Sequence, residues 1–374
     1  MIRILIGGDI CPMGQVQNAF IKDNANEIFH DLLEEISQAD LSIVNLECPL
    51  VSKETPIDKA GPVLNAHIKC VEGFKASKWN VLNLANNHSY DHGASGLRET
   101  IEIIKGAGLN VVGAGMNIKE AQAPFITQIK GRRIVIYSMA EHEFSIAEED
   151  TPGANPLDLI NFVNSIQMYK QNGLFIVLIH GGNEYYPYPS PEMVRRCHFM
   201  VDMGADSVIC CHTHCPLPWE TYAERPIIYG LGNLIFEATR KEPDTWYEGY
   251  LASLTVDDGH VGFQAIPYYQ SRERIGAYKM DENEQKHFFD EIIRRNAQVK
   301  DSAFIDDRWA NYCRQKKGLY LNGLFAYNRL MRKFSKLLLS KFHSKEAILQ
   351  ALLMVQCEAH REVLNTIFKI KRRG

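Results

Sequence analysis

The chain has 374 residues, 45% hydrophobic and 23% charged, with a formal net charge of −4. These are the values of an ordinary globular protein, and they point to neither a disordered nor a membrane class. No apolar run approaches the roughly 18 residues of a membrane-spanning helix. The N-terminal Met1-Ile2-Arg3-Ile4-Leu5-Ile6 enters a strand directly, without the basic and apolar zones of an export signal.

In chain order, short apolar runs predict strands at 2–8, 41–46, 80–84, 110–113, 133–139, 174–180, 206–211, 226–230, 250–257 and 261–267. Helical spacing predicts helices at 25–38, 69–77, 93–107, 157–171 and 191–203. Gly106 and Gly108 stand where the third helix should stop, and Pro191 suits the first turn of the fifth. The alternation argues for an α/β core. The late strands arrive without helices between them, so hairpins should complete the sheet. After about residue 275 the texture becomes helical, with helices expected at 284–295, 321–342 and 345–371 and a turn at 343–344. The division expected is a body over 1–270 and a helical extension over 271–374.

The charge is unevenly spread. Residues 271–374 carry 22 Lys+Arg against 12 Asp+Glu, leaving 19 against 33 in the first 270. The basic end could lie on an anionic membrane, meet an acidic polymer or dock on the acidic body. Its charges are scattered over amphipathic helices with few aromatic platforms, which argues against nucleic acid. Nine cysteines, an odd number in no repeated framework, fit free thiols and a reducing, cytoplasmic setting, with peripheral membrane contact left open.

Five positions after expected strands collect residue types that make poor core material. They are Asp9, Glu47, Asn87 with His88, His180, and His212 with His214. In open α/β sheets, sites form outside the carboxyl ends of strands, so these positions can share one crevice. Carboxylate, amide and imidazole together suit Mn, Fe or Zn rather than a structural thiolate site. Asp91 can orient His88, as imidazoles at metal sites need their other nitrogen held. Cys11 could ligate a soft metal or pack in a turn, and Asn86 reads as support. Glu184, Tyr185 and Asn233 fall on the substrate side or brace it. Gly7-Gly8 and Gly113-x-Gly115 complete neither a dinucleotide nor a P-loop fingerprint.

The order of these residues resembles the calcineurin-like metallophosphoesterases. The strings Gly8-Asp9, Asn45-Leu46-Glu47-Cys48-Pro49-Leu50, Leu84-Ala85-Asn86-Asn87-His88-x-x-Asp91-x-Gly93 and His180-x-Gly182-x-Glu184-Tyr185 are similar to the poly-γ-glutamate capsule-synthesis (CapA-type) branch. His212-x-His214 and Tyr229-Gly230-Leu231-Gly232-Asn233 extend the match, which covers roughly residues 1–270. The resemblance implies a four-layer α-β-β-α sandwich with one or two divalent metal ions at the strand ends. Asp9 would bind one ion, Glu47 would bridge, Asn87, His180 and His212 would hold the second, and His214 would return to the first. His88 would act as general acid. Two departures from the superfamily pattern stand out: Cys11 replaces the usual His two residues after the first Asp, and Cys211 replaces the Gly before the final His pair.

Two readings follow. One is a metal-dependent hydrolase of a phosphoester or related bond, acting in the making or processing of an anionic surface polymer alongside capsule-biosynthesis proteins. The other is a non-catalytic accessory protein that keeps the fold and binds the polymer or a partner enzyme.

Overall fold

The computed structural model of the protein describes residues 1–238, 241–324 and 345–373. Two sheets dominate it. In the first the order runs Ala277–Lys279, His260–Gln270, Glu248–Asp257, Ile2–Cys11, Leu41–Leu46, Val81–Asn83, Asn110–Val112. In the second it runs Trp219–Tyr222, Arg225–Ile228, Ser207–Cys211, Leu174–His180, Arg132–Ala140, Phe125–Ile129. The centre of each is parallel, and antiparallel hairpins finish the edges.

Alternation along the strands builds the layers. Ile4 and Ile6, Leu41 and Ile43, Ile134 and Ile136, Ile176 and Leu178, and Ile209 all face one apolar layer between the sheets. Their neighbours Leu5, Val44 and Leu82 face the helices over the first sheet. Val135, Tyr137, Phe175, Val177 and Val208 face the helices over the second. A strand with both faces covered needs apolar residues at every position, which is why these segments read as unbroken runs. Each such side chain, fully buried, contributes on the order of 1.5–3 kcal/mol. The architecture is therefore a four-layer α-β-β-α sandwich with helices at its C-terminal end.

Several boundaries differ from the sequence expectation. The first strand continues to Cys11, so Asp9 lies within it rather than beyond it. Helix 25–38 is two helices, Ala25–Phe29 and Leu32–Ser37, separated at His30, whose φ of 42° no α-helix tolerates. Strand Asn233–Phe236, which pairs beside Asp9, was hidden in a glycine-rich motif. Helix Ser302–Leu324 was not expected before residue 321, and most of the span 321–342 and the turn at 343–344 lie outside the described residues. The expected helix 345–371 is two, Lys345–Gln356 and Glu358–Arg373.

The C-terminal helices sit on the body through apolar and buried polar contacts. Helix Glu282–Val299 begins with a capping box between Asp281 and Glu284 and inserts Phe288 and Ile292 into the layer between the sheets. Trp309, Cys313, Val363 and Ile367 join the apolar layer over the second sheet. The Glu358 carboxylate accepts from the His142 backbone N–H at 2.8 Å and meets its Nδ1 at 2.8 Å. Glu362 accepts from the Ser190 hydroxyl and the Glu192 N–H. Among the described residues no helix is long and apolar enough to cross a membrane.

Candidate metal centre

Each sheet delivers three donors to one place. Asp9, Glu47 and Asn87 come from the carboxyl ends of strands in the first sheet, and His180, His212 and His214 from the second. Local backbone sets the aim. Pairing shifts register on both sides of Asp9. Gly8 lets the Gly232 carbonyl approach so closely that a Cβ there would lie 2.0 Å from it. His212 and His214 adopt φ of 93° and 53°, conformations that side chains other than glycine rarely take.

Two triads of side chains could each hold an ion, Asp9–Glu47–His214 and Glu47–His180–His212, each with its candidate ligand atoms within 4.8 Å of one another. Glu47 belongs to both. It is fully buried, and among the described residues neither carboxylate oxygen has a hydrogen-bond partner. Nε2 of His180 lies 3.0 Å from Nδ1 of His212, 3.0 Å from Oδ1 of Asn87 and 3.5 Å from Oε1 of Glu47. A single proton could satisfy only one of these electron-rich neighbours. A shared cation satisfies all of them, so the residues present fit a divalent metal.

Electrostatics agree. Burial, then the neighbouring Glu47, pushes the Asp9 carboxyl up to about 6, and burial raises Glu47 as well. Burial brings His180 down to about 4, and burial with the adjacent imidazoles holds His212 well below its ordinary value. Burial also opposes charge on His214, but Glu47 and Glu184 outweigh it and raise that ring. Two carboxyls reluctant to ionise beside two imidazoles kept neutral describe a donor set awaiting positive charge.

The surrounding amides fix the donors. Asn45 donates to Asp9 Oδ1 at 2.8 Å and lies 3.3 Å from His180 Nδ1. Its own Oδ1 accepts from Asn83 and Asn86. Asn86 also donates to the Leu46 carbonyl and accepts from the His88 N–H, so it supports the loop and does not face the donors. Glu143, pushed up to about 7 by burial, accepts from Asn87 Nδ2 and turns that amide so its oxygen points to His180. Asn233 sits behind His214, with Oδ1 2.8 Å from Nδ1. That contact braces the imidazole.

His88 stands beside the triads with Nδ1 2.6 Å from Asp91 Oδ2. Buried Lys59 donates to Asp91 Oδ1 at 2.6 Å and to the Asn87 carbonyl at 3.0 Å. Burial alone would raise Asp91, but His88 and Lys59 hold it below its usual range, so it is ionised and His88 Nδ1 carries the proton. Burial and Lys59 lower His88 against the pull of Asp91. Cys11 is buried in the apolar layer over the first sheet, and burial, then the Cys11 thiol beside it, drives the Cys48 thiol well above its ordinary value.

A cavity of about 790 Å³ opens over the centre. Asn87, His88, His212 and His214 form its floor, with exposed Glu184, half-buried Tyr185, and Trp246 at its side. Tyr185 stacks on Trp246 at 5.9 Å between ring centroids. Sequence reasoning missed Asn45, Lys59 and Glu143. Asn45 carried a signal, an amide inside the apolar run Ile43-Val44-Asn45-Leu46; Lys59 and Glu143 lie in loops and carried none.

Residues 3–238 match the family described as bacterial capsule synthesis protein PGA_cap, and the chain belongs to that family. It is 30% identical over 240 residues to the capsule biosynthesis protein CapA of Bacillus anthracis, a match spanning 62% of this chain and 58% of that protein. It is 27% identical over 295 residues to the PGA biosynthesis protein CapA of Bacillus subtilis, covering 77% of this chain and 76% of that one. Among solved structures, one described as a novel phosphatase from Mycoplasma pneumoniae superposes with a TM-score of 0.46 at 16% identity, over 78% of this chain and 98% of that one.

Proposed function

We propose that this protein is a metal-dependent hydrolase of phosphoesters or a related bond, serving the synthesis or processing of an anionic capsule-type polymer. The observation that supports this most is the pair of donor triads sharing an unpartnered, buried Glu47. Asp9, Glu47 and His214 would hold one ion and Glu47, Asn87, His180 and His212 the other, the ions being Mn, Fe or Zn. Bound there, divalent cations supply Lewis-acid polarisation and activation of water at neutral pH.

This chain's own residues divide the remaining work. Asp91 keeps one proton of His88 on Nδ1 and leaves Nε2 for the cavity; once Nε2 is protonated as well, the imidazolium can give that proton to a departing oxygen. Lys59 keeps Asp91 in place. Asn45 and Asn233 hold Asp9 and His214. The Tyr185–Trp246 wall excludes water from one side.

The test is hydrolysis of a model phosphodiester by metal-loaded protein. His88→Ala is expected to lower kcat by about 10²–10⁴-fold while elemental analysis finds the metal content unchanged. Full metal loading with no turnover by the unaltered protein would overturn the hydrolase reading. It would favour the second reading, a non-catalytic polymer- or partner-binding protein. One observation favours that alternative: Cys11 is packed away in the apolar layer, so the first triad has three protein donors and no fourth from that position.

A further inference from the structure

Part of the cavity lining comes from a stretch of the chain that the family match does not reach. Tyr312, Lys316, Leu319 and Tyr320 on helix Ser302–Leu324, with Leu353 and His360, line the same space as His88, His212 and His214. All lie beyond residue 238, where the match ends. That stretch is seated firmly. Glu358 and Glu362 anchor one helix to His142 and Ser190, Trp309 Nε1 donates to Thr366 at 3.0 Å, and Ala60 packs against the cluster of Leu353, Cys357 and Ala359. Ala60 adjoins Lys59, which holds Asp91.

The charges around the cavity are arranged unequally. Glu143, Glu184, Glu237 and Glu242 line it as well. Of the two lysines among the described lining residues, Lys59 is committed to Asp91. Lys316 instead lies with Nζ 5.6 Å from the centre of the Tyr312 ring, and no carboxylate pairs with it among the described residues. Beside it, the Tyr320 hydroxyl is 2.6 Å from Nδ1 of His360, which fixes that ring and leaves its other nitrogen to the cavity. An anionic substrate with one group at the metal centre is repelled along the acidic walls. The Lys316 ammonium and the His360 imidazole, which line the same cavity, are the groups able to meet its second charge.

We propose that Lys316 and His360 are specificity-determining residues that receive a second oxyanion of the substrate, a carboxylate or a phosphate, with Tyr320 positioning His360. The inference rests on the reading of this cavity as the reaction site. It places the choice of substrate in the C-terminal helices and the chemistry in the family-matched body.

The experiment is calorimetric titration of the full, manganese-loaded chain with a glutamate tetramer and, separately, with inorganic tripolyphosphate. Lys316→Gln is expected to weaken one of them about tenfold, the scale of a charge-assisted contact, and Lys316→Arg to recover most of the loss. His360→Gln should weaken the same probe. Loss in the tetramer arm assigns a carboxylate; loss in the tripolyphosphate arm assigns a phosphate. Equal metal content in every variant shows that the body is intact. Unchanged dissociation constants for both probes in Lys316→Gln and His360→Gln would overturn the proposal, as would equal binding of a neutral glutamine tetramer. The two readings fail separately. A protein that binds a probe through Lys316 but hydrolyses nothing loses only the hydrolase reading, and one that hydrolyses a small ester without Lys316-dependent binding loses only this inference.

Discussion

Glu47 shows how a single side chain can be wrong for stability and right for function. A fully buried carboxylate with both oxygens unpartnered is costly to ionise, and burial raises its pKa accordingly. Glu47→Gln should therefore raise the melting temperature of metal-free protein at pH 8. The same change should remove the stabilisation that added Mn gives the unaltered chain, because both triads lose their common ligand. Thermal unfolding with and without metal measures both, and a variant that is destabilised without metal would contradict the assignment. Legibility at this scale followed chemistry. Asp9, Glu47, Asn87 and the three histidines are out of place in apolar surroundings and so announce themselves. Asn45 was readable on the same ground. Lys59 and Glu143 reach the centre only because distant loops fold over it, and nothing local to either residue marks that.

At the scale of elements, strands buried on both faces were easy to find because every position must be apolar. Breaks were harder. His30 at φ 42° ends one helix inside an unbroken helical pattern, with its Nε2 2.8 Å from the carbonyl of Ile275, a contact made 245 residues away in sequence. The junction between the second sheet and the C-terminal helices carries a testable charge. Glu141 is buried, contacts Gly182 N–H at 3.0 Å and Arg196 at 3.4 Å, and lies 3.8 Å from the Cys357 thiol. Burial, only partly offset by Arg196, pushes its carboxyl from 4.5 up to about 7. A raised acid favours the folded state fully below its unfolded value, and that advantage is lost as pH rises through about 7. The shift corresponds to roughly 3 kcal/mol. Glu141→Gln should thus match the unaltered protein near pH 4.5 and exceed it in melting temperature above pH 7. A gap that does not change with pH would refute the assignment.

For the whole molecule, the sandwich converges at one edge, where three donors from each sheet meet. A cation bound there would tie the two sheets together. At about 100 times its dissociation constant, a metal that binds only the folded state adds about 2.7 kcal/mol. Loading with Mn should raise the unfolding temperature and slow hydrogen exchange at the carboxyl ends of strands in both sheets, and a chelator should reverse both effects. Protection confined to one sheet would show that the donors do not act jointly. Alternation of strands and helices pointed to an α/β core and the family resemblance implied its four layers, but the placement of the C-terminal helices was not foreseeable, since their apolar stripes say that they pack without saying where. That placement has a consequence of its own. Every residue of the two triads precedes residue 215, whereas the cavity residues of the C-terminal helices come after residue 300. On the proposed reading, the residues that hold the metal and those that meet the far end of the substrate would be separated by about a hundred positions of sequence, so a change in the C-terminal helices could alter what is bound without touching a metal-holding side chain.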